Sequence, residues 1–412
     1  MPTTVTVPET ADLVIVGGGV WGLSIAYHYA RLNIGRVLLL ERNALASAAT
    51  SRAAALLTQA RAKTALMPLI AQTYVDIADL EMTLGESLDA RRVGSLHIAA
   101  SASRQRELQE LLAIAGQAGL PVETLTADEA VRRAPWLNPE AIMSAVLMPE
   151  DAFIDPYRLA MAYACAARTY GATLCPGVAV QNLRRQGDRV TGIVTDQGVV
   201  DAGSVVDAAG AWANRLALPL GVGLPMTPVR SQYWITAPDL LFPRDHPMVI
   251  LPDANAYSRP ELGGLLFGLR ERQSISVDPR DLPDDLEGFA LGEEGGWSSL
   301  VEGAPALRRF LPALDQLDIA HHIAGLSTYV PDGLLALGPA PGIQGFLTAA
   351  GCSGAGIATA GGVGRGVAAL AAGQSSPFDL TPFRPDRFGE VDPLSSAFRQ
   401  RCEQARSRKV SG

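Results

Sequence analysis

DLVIVGGGVWGLSIAYHYARLNIGRVLLLE, residues Asp12 to Glu41, is the stretch that decides the fold. Residues 13–16 form a short apolar run suited to a buried strand. Gly17, Gly19 and Gly22 follow as a G-x-G-x-x-G turn, with Val20 and Trp21 between the second and third glycines. Residues 24–32 have helical character, and 37–40 form a second buried strand closed by Glu41. Strand, turn, helix and acid together are the βαβ fingerprint for the ADP half of a dinucleotide. Gly17 allows the tight turn, Gly19 lets the backbone approach a pyrophosphate, and Gly22 lets helix and strand pack closely. The helix start aims free N–H groups at the phosphates. Glu41 stands where a carboxylate accepts from ribose hydroxyls. With 41 glycines in the chain, the spacing alone would be weak evidence. The flanking strand, helix and acid are what make it specific.

Composition bounds the rest. The 412 residues suffice for one large or two medium domains, and 48% apolar with 18% charged residues allows a full core. A net charge of −8 argues against nucleic acid or an anionic membrane as the main partner. MPTTVTVPET has neither a basic nor an apolar leader region, so the expected location is cytoplasmic. The long apolar stretch 346–373 is broken by glycines and by Arg365, which argues against a membrane span. Four scattered cysteines read as reduced thiols, and five histidines without ligand spacing give no metal site.

After Glu41, the small-residue run 47–55 suits a loop and helix start against a flat cofactor. Thr50 or Ser51 is there either a plain helix cap or a hydroxyl for phosphate or ribose. Helices are expected at 67–84, 104–119, 127–134 and, after Asp155-Pro156, to about Tyr170. Strands are expected at 92–99, 178–184, 189–195, 198–201 and 204–207. The last leads into Ala208-Ala209-Gly210, where small residues suggest another close approach to the ligand. From 224 to 323, strand-like runs at 230–236, 248–251 and 264–269 alternate with Pro- and Asp-rich loops, which suits an antiparallel sheet in a second domain. Helices follow at 287–300 and 302–310. Residues 346–349 then form a strand, 351–356 a second Gly-rich loop and 357–372 a helix. Two such loops suit a cofactor with two polar ends. The segment after Phe388 reads as a polar, solvated tail ending in Arg406, Arg408 and Lys409.

In this order the motifs resemble the D-amino-acid oxidase superfamily of FAD-dependent oxidoreductases, the group of glycine and sarcosine oxidases and of sarcosine and dimethylglycine dehydrogenases. The resemblance covers roughly residues 11–388 and rests on the opening fingerprint, the 47–55 loop, AAGAW at 208–212, VPDG at 330–333 and GCSGAG at 351–356. SGAGIATAGGVGRGVA looks closest to the dehydrogenases, whose C-terminal folate-binding region is missing from this sequence. The resemblance implies an α/β chain: a Rossmann-like FAD-binding domain (1–88, 145–222 and 326–390), a mixed α+β substrate domain built on an antiparallel sheet (89–144 and 223–325) and a tail (391–412). It implies extended, non-covalent FAD. Gly17, Gly19 and Gly22 would hold the pyrophosphate, with Val20 and Trp21 beside it, Glu41 the ribose, and Arg42 the adenine side. Val178 would present backbone to the adenine. Thr50, Ser51, Arg52 and Ala53 would lie near the phosphates or flavin, with Ala209 and Gly210. Gly351, Cys352, Ser353, Gly354, Gly356 and Ile357 would line the flavin, where a helix dipole favours the reduced, negative form.

The departures from the family's pattern are informative. Arg52 and Gly325 stand where relatives attach FAD covalently, Leu266 where sarcosine oxidases carry an oxygen-activating Lys, and Leu56, Ala358 and Ser327 where relatives anchor a substrate carboxylate. Arg259 and Arg270 are candidate replacements, although each taken alone reads more readily as a solvated surface Arg, and Tyr257 and Tyr329 are candidate hydrogen-bond donors. His321 and His322 read as structural, Cys352 as packing. The implied reaction is oxidation of a secondary or tertiary amine, or of an amino or imino acid, to an imine, more as a dehydrogenase than an oxidase. Partners would be the small substrate and oxygen or another electron acceptor, in a possible homo- or hetero-oligomer. The alternatives are a 2-hydroxy-acid dehydrogenase, or an FAD subunit of a hetero-oligomeric amine dehydrogenase.

Overall fold

The computed structural model describes residues 7–287, 289 and 291–409. Two eight-stranded sheets organise the chain. In the first, Phe346–Ala350, Gly198–Asp207, Thr10–Val16, Val37–Glu41 and Thr173–Pro176 lie side by side and parallel. Ala336–Pro339 closes one edge antiparallel. Thr10–Val16 sits inside this row, and its apolar residues Leu13 to Ile15 are fully buried, as a strand covered on both faces requires. The expected strands 198–201 and 204–207 form a single ten-residue strand. Its first half pairs back with Arg189–Thr195, and its second half runs beside Thr10–Val16. Gly203 permits this, because a Cβ there would stand 2.7 Å from the Asp12 carbonyl oxygen.

The second sheet runs Ile319–Tyr329, Thr227–Thr236, Gly264–Leu269, Ala256–Glu261, Met248–Leu251, Ser95–Ala99, Ser144–Met148, Glu123–Leu125. It is mixed rather than purely antiparallel, since Met248–Leu251 pairs parallel with Ser95–Ala99. The boundaries expected at 145 and 326 fall inside strands of this sheet, at Ser144–Met148 and Ile319–Tyr329. Ala256–Glu261 and Ile319–Tyr329 were not foreseen as strands. The first carries Arg259 and Pro260, the second a run of His, Ala and Gly, and neither shows the apolar alternation that marks a strand.

Helices Val20–Leu32, Met67–Leu84, Pro156–Thr169 and Ala360–Ala371 share one core on the first sheet. Met67–Leu84 has the bounds read from sequence and ends on Gly85 in the left-handed region. Asp155 caps Pro156–Thr169 through the Arg158 N–H. In the second half of the chain two helix expectations fail. Residues 351–359 are loop and turns, so the last Gly-rich helix begins at Ala360, not 357. Among the described residues between 287 and 310 there is one α-helix, Trp297–Arg308, preceded by the short 3-10 turn Glu294–Gly296, because Gly295 and Gly296 take positive φ there. Positions 288 and 290 of the expected helix lie outside the described residues. The segment 391–412 is not a solvated tail: within its described part, helix Ser396–Ser407 buries Phe398, Cys402 and Arg406. No helix among the described residues is long and apolar enough to cross a membrane.

A buried carboxylate ties the four packed helices together. Asp76, fully buried, accepts from the Tyr163 hydroxyl at 2.7 Å and the Gln72 amide at 2.7 Å, and pairs with His28 Nε2 at 2.8 Å. Gln72 in turn accepts from Arg365 at 2.8 Å. Removing one member of such a network strands the others without water. Asp76→Ala is expected to destabilise the protein by about 3 kcal/mol. Chemical denaturation would check it, and a loss under about 1 kcal/mol, the size of an ordinary exposed hydrogen bond, would show that the network is dispensable.

Candidate cofactor and substrate site

A long cavity runs between the two sheets, from Glu41 at one end to Lys409 at the other. Its first part is built by the opening βαβ unit. Gly17 takes a positive φ of 112°, and a Cβ there would collide with the Ala208 carbonyl. A Cβ on Gly22 would fall on the Gly17 carbonyl oxygen, so this glycine packs helix on strand and does not line the cavity. Gly19, extended before the helix, has only Thr50 Oγ1 near its Cβ position, at 3.4 Å, and faces the cavity with Val20 and Trp21. Glu41 accepts from the Gly18 N–H at 2.7 Å and the Asn43 N–H at 2.8 Å. Each carboxylate oxygen keeps a further lone pair for a hydroxyl. Val178 lines the same end, with its N–H spent on the Glu41 carbonyl at 2.9 Å. Arg42 lies over the Trp212 ring at 4.9 Å and pairs with Asp284.

The expected helix in 47–55 is absent; 45–52 are turns. Thr50 caps a different helix, accepting the Val20 N–H at 3.1 Å across thirty residues. Ser51 points out, bonded to the Ala48 carbonyl, and does not line the cavity. Arg52 and Ala53 do line it, with the Arg52 guanidinium turned back onto the Ser47 and Ala48 carbonyls. Ala209 and Gly210 form the opposite wall. Beside them Asp207 is fully buried; one oxygen accepts from Ala209 N–H at 3.0 Å and the other has no partner among the described residues. Burial raises its pKa to about 7.

The second Gly-rich loop closes the far half. Gly351, Cys352, Gly354, Gly356 and Ile357 line it, the first and third at positive φ. Ser353 does not: it holds the loop, donating its hydroxyl to the Leu334 carbonyl at 2.7 Å and its N–H to the Thr328 carbonyl at 2.7 Å. Cys352 Sγ and the Ser327 hydroxyl share a hydrogen bond at 3.2 Å. The two loops are tied directly: Trp21 Nε1 donates to the Gly356 carbonyl at 2.8 Å. An acid at one end, a phosphate-sized approach at Gly19 and a backbone-lined slot at the other end fit an extended FAD.

The sequence profile described as "DAO: FAD dependent oxidoreductase" matches residues 12–370. This chain belongs to that family. FAD is its cofactor. Rat mitochondrial dimethylglycine dehydrogenase is 31% identical over 93% of the chain and 45% of its own length. The 4-methylaminobutanoate oxidase (formaldehyde-forming) of Paenarthrobacter nicotinovorans is 31% identical over 92% and 46%. Among solved structures, L-proline dehydrogenase from P. horikoshii has a TM-score of 0.82 at 25% identity, covering 94% of this chain and all of that one, 100%. The chain thus spans a little under half the length of the curated relatives it matches.

At the far end of the cavity, beside the second Gly-rich loop, the walls carry Tyr257, Arg270 and Tyr329. Arg270 lies over the Tyr257 ring at 5.8 Å, and burial lowers its pKa to about 10. Both tyrosines are raised from their usual range, chiefly by burial, and are neutral donors. Arg259, expected to face substrate, is turned away: it pairs with Glu261, donates to the Ala54 carbonyl at 2.7 Å and lies over Phe153. His321 is exposed, and His322 bonds Gln232 at 3.1 Å and stacks near Trp234; neither lines the cavity. Sequence reasoning missed Arg406 and Lys409, which enter this end from the C-terminal helix. A readable signal existed: Phe398, Cys402 and Arg406 are spaced by four, one buried stripe carrying an Arg.

Two outcomes are expected. Trp21→Phe removes the link between the loops and is expected to weaken FAD binding about tenfold. Titration of apo-protein with FAD checks this; unchanged affinity would show that the loops hold without it. Asp207 keeps its proton when folded and loses it near pH 4 when unfolded. Its contribution to stability therefore falls as pH rises from about 4 to about 7. Asp207→Asn keeps the acceptor for Ala209 and removes the titration. The wild type's stability relative to this variant should drop over that window, followed by thermal unfolding at each pH; a constant difference would contradict the assignment.

Proposed function

We propose that the chain oxidises the C–N bond of a small secondary or tertiary amine that carries an anionic group, such as an N-alkyl amino acid or an imino acid. The observation behind this reading is the lining of the flavin end. It presents Arg270, Arg406, Lys409 and two neutral phenols, and no His, Asp or Glu among the described residues. An amine bound neutral needs no side-chain base, because its lone pair drives loss of hydride from the adjacent carbon. FAD, when bound, supplies the two-electron acceptor. The protein's share is to place the substrate, exclude water and hold its charged end. The imine so formed is hydrolysed by water to an amine and a carbonyl compound. An alcohol substrate would need a base for the hydroxyl proton, and the wall offers none among the described residues.

Dehydrogenase chemistry is favoured over oxidase chemistry. Leu266, where sarcosine oxidases carry a Lys, is buried in its strand and absent from the cavity wall. Relatives of both names stand at 31% identity, one a dehydrogenase and one an oxidase, so position 266 alone carries this preference. A cytoplasmic location and a homo- or hetero-oligomeric setting remain part of this reading.

Anaerobic mixing with N-methyl amino acids, cyclic imino acids and D- and L-amino acids is expected to bleach the flavin absorbance for at least one N-alkylated member. Reoxidation by a dye should then outrun reoxidation by oxygen. A flavin bleached by none of these amines but by 2-hydroxy acids would replace this reading with the alcohol one.

A further inference from the structure

Resting on that reading, we propose that residues 396–409 are part of the substrate site, and that Lys409, backed by Arg406, binds the substrate's carboxylate. The positions at which relatives hold a carboxylate are Leu56, Ser327 and Ala358 here, and all three line the cavity without a charge. The cations come from a different element. Helix Ser396–Ser407 lies on the second sheet with Phe398 and Cys402 packed against Val229 and Tyr329. Arg406 Nε donates to the Arg230 carbonyl at 2.7 Å, which fixes the buried guanidinium at the cavity wall.

One turn on, Lys409 reaches the flavin-lining loop. Its Nζ donates to the Ser353 carbonyl at 3.1 Å and the Gly354 carbonyl at 2.9 Å. These two bonds use both donors of the neutral amine; the ammonium form has a third, and a carboxylate ligand favours that form and takes it. The Tyr329 hydroxyl and Lys409 Nζ converge, both lying within 2.8 Å of the place a Gly354 Cβ would take. A phenol and an ammonium meeting at a backbone turn form a small oxygen-accepting corner. No carboxylate among the described residues lines this end, although Arg270, Arg406 and Lys409 all do. Burial, Arg61 and Arg270 push the Lys409 amine well below its usual range. A carboxylate arriving with substrate opposes that repulsion and favours the charged form of the amine.

The test uses FAD-loaded full chain and two redox-inert probes of one shape, propanoate and propanamide, with binding read from the flavin absorbance. Lys409→Met is expected to raise the propanoate Kd roughly 10- to 100-fold, to leave propanamide and FAD affinity unchanged, and to raise KM for an N-methyl amino acid more than it lowers kcat. Lys409→Arg should recover most of the propanoate affinity. Arg406→Gln should act in the same direction, with thermal unfolding as its folding control. Unchanged propanoate binding in Lys409→Met, or equal loss of both probes, would overturn the proposal. The two readings fail separately. If N-methylpropylamine bleaches the flavin as well as N-methyl amino acids do, amine oxidation stands and the carboxylate anchor falls. If no amine bleaches it but propanoate still requires Lys409, the anchor stands without the proposed reaction.

Discussion

The bond from the Trp21 indole to the Gly356 carbonyl joins two loops that lie 335 residues apart in the chain. Each loop is held by its own half of the fold. The first is set by Gly17 and Gly22 packed against neighbouring carbonyls; the second is set by Ser353 and its bonds to Leu334 and Thr328. An extended cofactor needs both at a fixed separation. Helix Val20–Leu32 provides it, since Trp21 stands in its first turn and helix Ala360–Ala371 packs along it. The glycines of that last helix serve this closeness: a Cβ at Gly361 or Gly362 would strike Thr73 or Leu69. What reads in sequence as a Gly-rich cofactor motif is thus half ligand loop and half helix packing.

That division explains how much was legible beforehand. The opening fingerprint, the helix Met67–Leu84 and the strands Met248–Leu251 and Gly264–Leu269 follow from local periodicity and turn residues, and they stand where expected. The start of the last helix does not, because loop residues 351–359 and helical residues after them have the same small-residue texture. Strand Ala256–Glu261 was illegible for a related reason. Its Arg259 is neutralised by Glu261 and covered by Phe153, contacts that only the folded sheet creates. The same contacts remove Arg259 from the candidate site, while Arg270, just past the end of the adjacent strand Gly264–Leu269, reaches the cavity.

The substrate end was the least legible part, and the physical cause is specific. Sequence comparison looks for charge at positions where relatives keep it, and here those positions are Leu, Ser and Ala. The compensating charges sit on an element whose polar composition suggests a solvated tail. Only its four-residue spacing of Phe398, Cys402 and Arg406 betrays a buried face.

Because helix Ser396–Ser407 follows both sheets in the chain, it also leaves the ribosome after them. A nascent chain that has completed Ala360–Ala371 already owns both cofactor loops and the Trp21 link, yet still lacks Arg406 and Lys409. The cofactor half of the cavity is therefore complete earlier in synthesis than the substrate half. The order of assembly is written into the topology: the part that holds a permanent group forms from residues made early and late in the two domains, and the part that meets a transient molecule is closed last, by a helix laid over a finished sheet.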